Sequence, residues 1–269
     1  MNDLRRALAP ITEAAWGEIE DAARDALKTC LAGRKLADFE GPLGWKHSAV
    51  ASGRTRRVQD LQERVEARLR LVQPLMELRI PFRLSRDELD AIDRGAPDPK
   101  LDPLEDAARR LAAAEDGLIF DGNDEACVRG MARGSDHEPL TLTTDYTSYP
   151  NVVSDALERL RIAGVGGPYA IALGPRCYTG LSRTTGPGGY PVIQHVRRLL
   201  QDGPVVWAPA LDGALVLSLR GGDFQLVVGR DASIGYLRHD ESTVDLYLEE
   251  SLTFRNISPE AAVPLRYAG

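Results

Sequence analysis

Residues 51–70 read ASGRTRRVQDLQERVEARLR, a stretch in which Arg54, Arg56, Arg57, Asp60, Glu63, Arg64, Glu66, Arg68 and Arg70 leave little room for apolar side chains. So polar a segment cannot bury enough surface to hold a compact fold by itself. It is either a solvated excursion or an arm stabilised by a neighbouring chain. Asp60, Glu63 and Glu66 blunt the field of the arginines, which disfavours a nucleic-acid partner and favours mixed-sign pairing against another subunit. The chain leaves the arm through Leu71–Phe82, which reads as a strand. Pro74 and Pro81 each remove a ladder donor, so that strand belongs at an edge or in an irregular extension.

Upstream of the arm, Trp16, Ile19, Ala23, Ala26, Leu27, Cys30 and Leu31 recur at helical spacing, with Thr12 as N-cap and Gly33 as stop. Gly33–Pro42 reads as a short alternating strand closed by a Gly-Pro turn. Downstream, a short helix over Ser85–Arg94 precedes a long one over Asp102–Phe120, which could form a domain spine. Helices over Ser154–Ala163 and Val192–Leu200 flank a buried strand at Tyr169–Leu173. In the last third, Ala214–Leu219 and Phe224–Val228 are apolar runs joined by Gly221-Gly222-Asp223, a hairpin signal. Thr243–Ile257 is a long strand whose even positions are mostly apolar: Val244, Leu246, Leu248, Leu252 and Phe254, with Glu250 among them. The pattern is α+β.

The 269 residues are 43% apolar and 27% charged with a net charge of −7, the balance of a globular chain without whole-molecule attraction to phosphate backbones. No window approaches a membrane span and the first residues lack a signal-peptide pattern, so the expected location is the cytoplasm. Cys30, Cys127 and Cys177 are too widely spaced for a zinc cluster or disulfide framework. His47, His137, His195 and His239 sit in unlike contexts, and no phosphate-loop, zincin or nucleophile-elbow motif is present. Asp121–Glu125 fails as a calcium loop, because Ala126 and Ala132 stand where the turn glycine and bidentate glutamate are needed. The expectation is a protein without catalytic or metal-binding residues.

Several short motifs together resemble one family. Leu4–Thr12 with Trp16, Ala32–Lys35, Gly41–Trp45, Glu77–Arg79 with Pro81-Phe82, and Ala114–Asp116 with Ile119–Gly122 look like the encapsulins, bacterial nanocompartment shell proteins. Gly167–Tyr169, Gly189–Pro191, Arg220–Asp223, Gly229–Tyr236 and Ser251–Phe254 continue the resemblance in the family's order over essentially the whole chain. It implies the tailed-phage major capsid protein fold, with a peripheral domain (1–47, 77–130 and 218–269), an extended loop (48–76) and an axial domain (131–217). It also implies self-assembly of sixty chains, or a multiple of sixty, into an icosahedral shell. The implied cargo is an iron-storing ferritin-like protein or a dye-decolourising peroxidase, docked through its C-terminal peptide. A prophage-type capsid protein that packages a genome is the alternative within the same fold. Some members bind a flavin on a Trp near the base of the loop; Asp87 stands at the corresponding position with no Trp nearby, so no cofactor is expected. Arg230 stands where many relatives have Gln.

The resemblance places a cargo-peptide groove between the N-terminal helix and the peripheral sheet. The apolar candidates there are Leu27, Leu31, Leu36, Ile234, Tyr236, Leu246 and Leu248, flanked by Arg34 and Asp38. It also brings axial domains together at a five-fold axis. The loop Thr184, Thr185, Gly186, Pro187, Gly188, Gly189 and Tyr190 is the expected pore lining, since its glycines remove side chains where copies crowd. A lining of backbone and Thr hydroxyls would select by size more than by charge.

Overall fold

Thr12 caps the first helix as expected, its hydroxyl accepting from the Ala15 amide at 3.2 Å at the start of α1 (Glu13–Cys30). The apolar stripe of α1 buries Ala15, Ile19 and Ala23. In the computed structural model, which describes residues 3–268, that stripe packs on α3 (Asp102–Phe120) and on the inner face of a sheet. Residues 1, 2 and 269 of the expected peripheral domain lie outside the described residues, as does the side chain of Pro187.

Four strands build that sheet: β1 (Asp38–Glu40), β4 (Met76–Ser85), β11 (Phe224–His239) and β12 (Thr243–Asn256), in the order β1-β11-β12-β4. β4 is an edge strand, so Pro81 opposite Tyr247 forfeits no central ladder bond. Short α2 (Arg86–Asp93) follows it. A first core lies between the sheet and the helices, with Ile19, Phe82, Leu84, Leu104, Leu111 and Leu246 among its members. The far end of α3 enters a second core through Leu118, Ile119 and Phe120. The long helix therefore ties both cores together.

The second core surrounds a five-stranded sheet of β7 (Leu140–Leu142), β8 (Tyr169–Leu173), β9 (Val205–Trp207), β10 (Ala214–Ser218) and β13 (Ala262–Tyr267), ordered β7-β13-β10-β8-β9. Around it stand α4 (Tyr149–Ile162), α5 (Pro175–Arg183) and α6 (Val192–Leu199). A small hairpin, β5 (Gly122–Asn123) and β6 (Val128–Arg129), closes the turn after α3.

Four sequence expectations need correction. Gly33–Lys35 is a turn of 3-10 helix, so the strand predicted over Gly33–Pro42 shrinks to β1. Gly221-Gly222 does not close a hairpin: β10 and β11 belong to different sheets, and both glycines, at φ 84° and 81°, steer the chain between them while Asp38 accepts from the Gly222 amide. β11 runs on to His239 through register shifts around Gly229–Asp231, where its apolar alternation lapses. Ala262–Tyr267 leaves the block assigned to the peripheral domain, because Ala262 through Leu265 are buried against β10 in the five-stranded sheet.

The polar arm is a ribbon of β2 (Ala49–Arg57) and β3 (Arg68–Pro74), whose strands, among the described residues, pair only with each other. Leu61, Val65, Leu69 and Val72 on it are exposed. A two-stranded ribbon is marginal alone in water, and these side chains have no core of their own.

Asp116 fastens the end of α1 to the spine: buried, it accepts from the amides of Ala32 at 2.9 Å and Gly33 at 2.8 Å. Burial raises its pKa from 3.8 to about 6, against the lowering effect of those two amides. Because the folded value is the higher one, its contribution is fully present below pH 4 and is lost as pH rises through 6. Relative to D116N, the wild type should therefore lose up to about 3 kcal/mol between pH 4 and 7, read from denaturation midpoints of both proteins at each pH.

Candidate functional site

Between α1 and β11 lies an open groove of about 500 Å³. Leu27 from the last turn of α1 and Leu31, which caps it, form one wall, and Ile234 of β11 and Leu248 of β12 the other. The segment before α1 covers one end: the Leu4 carbonyl accepts from the Tyr236 amide at 2.9 Å, while Arg6 pairs with Glu20 at 2.5 Å and lies 4.1 Å above the Trp16 ring. Arg34 and Asp231 line the groove as well.

Of the nine residues expected to hold a cargo peptide, the structure gathers Leu27, Leu31, Arg34, Ile234 and Leu248 at this groove. Leu246 is fully buried among the first-core residues beneath the helices. Tyr236 packs partly buried on that core and points its hydroxyl at His239 Nδ1, 2.6 Å away. Leu36 and Asp38 line a separate cavity of about 220 Å³ with Gly221 and Phe224. The 3-10 turn is the reason, since it rotates Leu36 into the second core beside Ile119 and Phe120.

Behind the groove, one guanidinium meets three carboxylates. Arg34 donates from Nε to Glu115 Oε1 at 2.8 Å, from Nη1 to Asp231 Oδ1 at 2.8 Å, and from Nη2 to Glu115 Oε2 at 2.7 Å and Glu250 Oε2 at 3.2 Å. Glu115 and Glu250 are buried, and among the described residues Glu250 Oε1 has no hydrogen-bond partner. Burial and the negative charge of Glu115 push the Glu250 pKa well above the usual carboxylate range, although Arg34 pulls it down. Burial opposes the charge on Arg34 too, yet its bonds to Glu115 and the charges of Glu115 and Asp231 raise its pKa further. Neither glutamate figured in the sequence reading as a site residue. Both left a signal, since Glu115 falls on the apolar stripe of α3 and Glu250 interrupts the apolar face of β12.

Arg230 forms a second junction on the sheet. It pairs with Glu249 Oε1 at 3.0 Å and with Asp3, and its guanidinium lies 4.0 Å over the Trp45 ring. Arg79 reaches the other oxygen of Glu249 and stacks 4.4 Å over Tyr247. A Gln at position 230 would carry no charge to meet these two carboxylates.

The glycine loop joins α5 to α6. Thr184 Oγ1 donates to the Gly180 carbonyl at 2.8 Å, Thr185 bridges to Pro191, and the Gly186 amide donates to the Tyr190 carbonyl at 2.8 Å. Gly188 and Gly189 have φ of 77° and 79° and are exposed, and Arg198 lies 5.0 Å from the Tyr190 ring centroid. The loop is therefore a closed, exposed tip.

Comparison with known proteins decides the family. Residues 1–253 match the model of the family described as encapsulating protein for peroxidase. A type 1 encapsulin shell protein of Rhodospirillum rubrum is 53% identical over 272 residues, covering 99% of this chain and 97% of that protein. The chain belongs to the encapsulin shell-protein family. Its fold is that of tailed-phage major capsid proteins. A virus-like particle from Pyrococcus furiosus superposes with a TM-score of 0.65 at 16% identity, covering 92% of this chain and 97% of that one. A structure from Mycobacterium phage Ogopogo gives 0.57 at 12% identity, covering 88% and 91%.

In this encapsulin, Arg34→Ala would leave Glu115 and Glu250 buried without their cation. The expected cost is about 3–5 kcal/mol, and Glu115→Gln with Glu250→Gln in the same chain should recover much of it. Denaturant melts of the single and the triple variant beside wild type measure both effects.

Proposed function

We propose that the chain is the wall of a closed icosahedral compartment in the cytoplasm, built of sixty copies or a multiple of sixty, with its function in interfaces rather than in catalysis. The observation that carries this reading is the arm: a ribbon with exposed Leu61, Val65, Leu69 and Val72 and, among the described residues, no strand partner beyond its own two strands, on a capsid fold. Burial against other copies would supply the apolar contact that the ribbon lacks. Negative-stain microscopy of the protein expressed alone should show hollow particles of uniform size; a uniform monomer or dimer at physiological salt would overturn the reading. Genome packaging is not adopted, since the relatives that match over the full length are named as compartment shells.

The groove between α1 and β11 is the proposed seat of an extended cargo peptide, with Leu27, Leu31, Ile234 and Leu248 as apolar floor and Arg34 and Asp231 as polar guides. A peroxidase is the cargo class that the family description favours, with a ferritin-like iron oxidase as the other candidate. Flavin has no place in this reading, as exposed Asp87 on α2 supplies no aromatic face. Leu27 is only partly buried, so Leu27→Asp should leave assembly intact while the enzyme that copurifies with particles from the native cell falls about tenfold by quantitative mass spectrometry. Failure of the particles to form would instead place Leu27 in the core. The Thr184–Tyr190 tip is the proposed lining of a five-fold opening, and Gly188→Asp, which would add a ring of carboxylates there, should change the rate at which cations reach an enclosed dye.

A further inference from the structure

Charge in the domain built on the five-stranded sheet is sorted along the chain. Residues 134–158 contain Asp136, Glu138, Asp145, Asp155 and Glu158 and no Lys or Arg; Arg159 and Arg161 follow on α4, and Arg159 donates to the Glu138 carbonyl at 2.6 Å. Residues 174–200 contain Arg176, Arg183, Arg197 and Arg198 and no Asp or Glu. All nine charged residues of the two runs are exposed. Among the described residues, no ion pair joins the two runs: Asp136 faces Arg129 at 3.8 Å, and Asp145 is occupied by Thr147. Yet the elements that carry them are neighbours, α4 packing on α6. A chain selected only for its own stability would gain by mixing such charges within reach of one another.

Each run also carries surface suited to contact. On α4, Asn151, Asp155, Glu158 and Ile162 form one exposed stripe, and Ile162 is 79% exposed, an apolar end to an acidic row. On the basic side, Arg176 and Arg183 line an open cavity of about 470 Å³ with Thr179 and Thr184. Arg176 is held there by the Tyr267 ring, 3.7 Å below its guanidinium, and Arg198 by Tyr190. The Arg176 and Arg198 guanidinium groups are braced by aromatic rings, and among the described residues no carboxylate pairs with them.

We propose that the basic α5–α6 face of one copy docks against the acidic 134–158 face of the next, a head-to-tail contact of the axial domains. Such an interface is heterologous, and a heterologous contact repeated by rotation closes into a ring. The second copy is the occupant because every copy carries both runs, five acidic residues and four arginines, so each basic face finds an acidic one of nearly matching charge on its neighbour. Pairing of opposite faces gives register and partner choice, while two basic or two acidic faces repel. This inference rests on the shell reading above and adds to it which surfaces meet.

A charge-swap cycle tests it, in full-length chains with folding checked by circular dichroism. Asp155→Lys with Glu158→Lys, and separately Arg183→Glu with Arg198→Glu, should each reduce the yield of closed particles about tenfold at physiological salt. The four substitutions together should restore it, and the loss in each half-swap should ease as salt rises. Half-swaps that assemble like wild type, or a full swap that fails to recover over either half, would overturn the contact. A half-swap that does not fold is replaced by its neutral form, Asp155→Asn with Glu158→Gln or Arg183→Gln with Arg198→Gln, which should weaken assembly in the same direction. Absence of particles from the wild type would overturn the shell reading itself, a result distinct from either of these.

Discussion

Arg34 is the constraint on which the groove depends. It stands just beyond α1 and binds Glu115 of α3, Asp231 of β11 and Glu250 of β12, so one side chain locks a helix, the spine and two strands. A buried carboxylate pair is costly in the absence of a cation, and the cation is costly in the absence of the pair. Such a junction is weak evidence for extra stability, because a well-packed apolar substitute would avoid both desolvation penalties. What it supplies is placement, since the fork of the guanidinium meets its acceptors in one arrangement only. The groove walls inherit that placement, as Leu31 lies three residues before Arg34 and Ile234 three after Asp231.

Beside this junction the molecule divides its labour. The four-stranded sheet and α1 carry the groove, and the five-stranded sheet carries the glycine tip and the sorted charges. α3 belongs to both cores and transmits neither face to solvent as a site. The arm belongs to neither, and its exposed apolar side chains are consistent with a protein whose fold is finished by its neighbours. The large pKa shifts here arise in burial and pairing: Asp116 under the end of α1, Glu250 beside Glu115, and Tyr149 with Tyr267 around the Cys177 thiol are all held above their ordinary values.

Local order was legible in the sequence wherever one physical rule acted alone. The stripe of α3 and its limits at Asp102 and Phe120 follow from helical period, and β8 follows from an apolar run bounded by Pro168 and Gly174. Thr12 announced its cap. The resemblance to the encapsulin family likewise rested on motifs spread along the chain, and the family match bears it out. Reading failed where two rules competed. Gly221-Gly222 satisfies a hairpin turn and an inter-sheet crossing equally well, and only the partners available to β10 and β11 chose the crossing.

The sequence by itself determined the types of the longest elements, the unfinished arm and the family, because periodicity, turn chemistry and motif order are properties of neighbours along the chain. Tertiary structure decided which candidate residues share a site. Leu246 and Leu248 lie on the same face of one strand and are both buried in the first core, yet the second also borders the groove. Leu36 was lost to a 3-10 turn that no apolar alternation disclosed, and Ala262–Tyr267 joined the five-stranded sheet instead of the four-stranded one. Glu115, Asp231 and Glu250 are separated by more than a hundred residues of chain between the first and the others, and nothing local couples them. Burial joined them, since carboxylates withdrawn from water must find a common cation, and Arg34 is where the packing of α3, β11 and β12 put one.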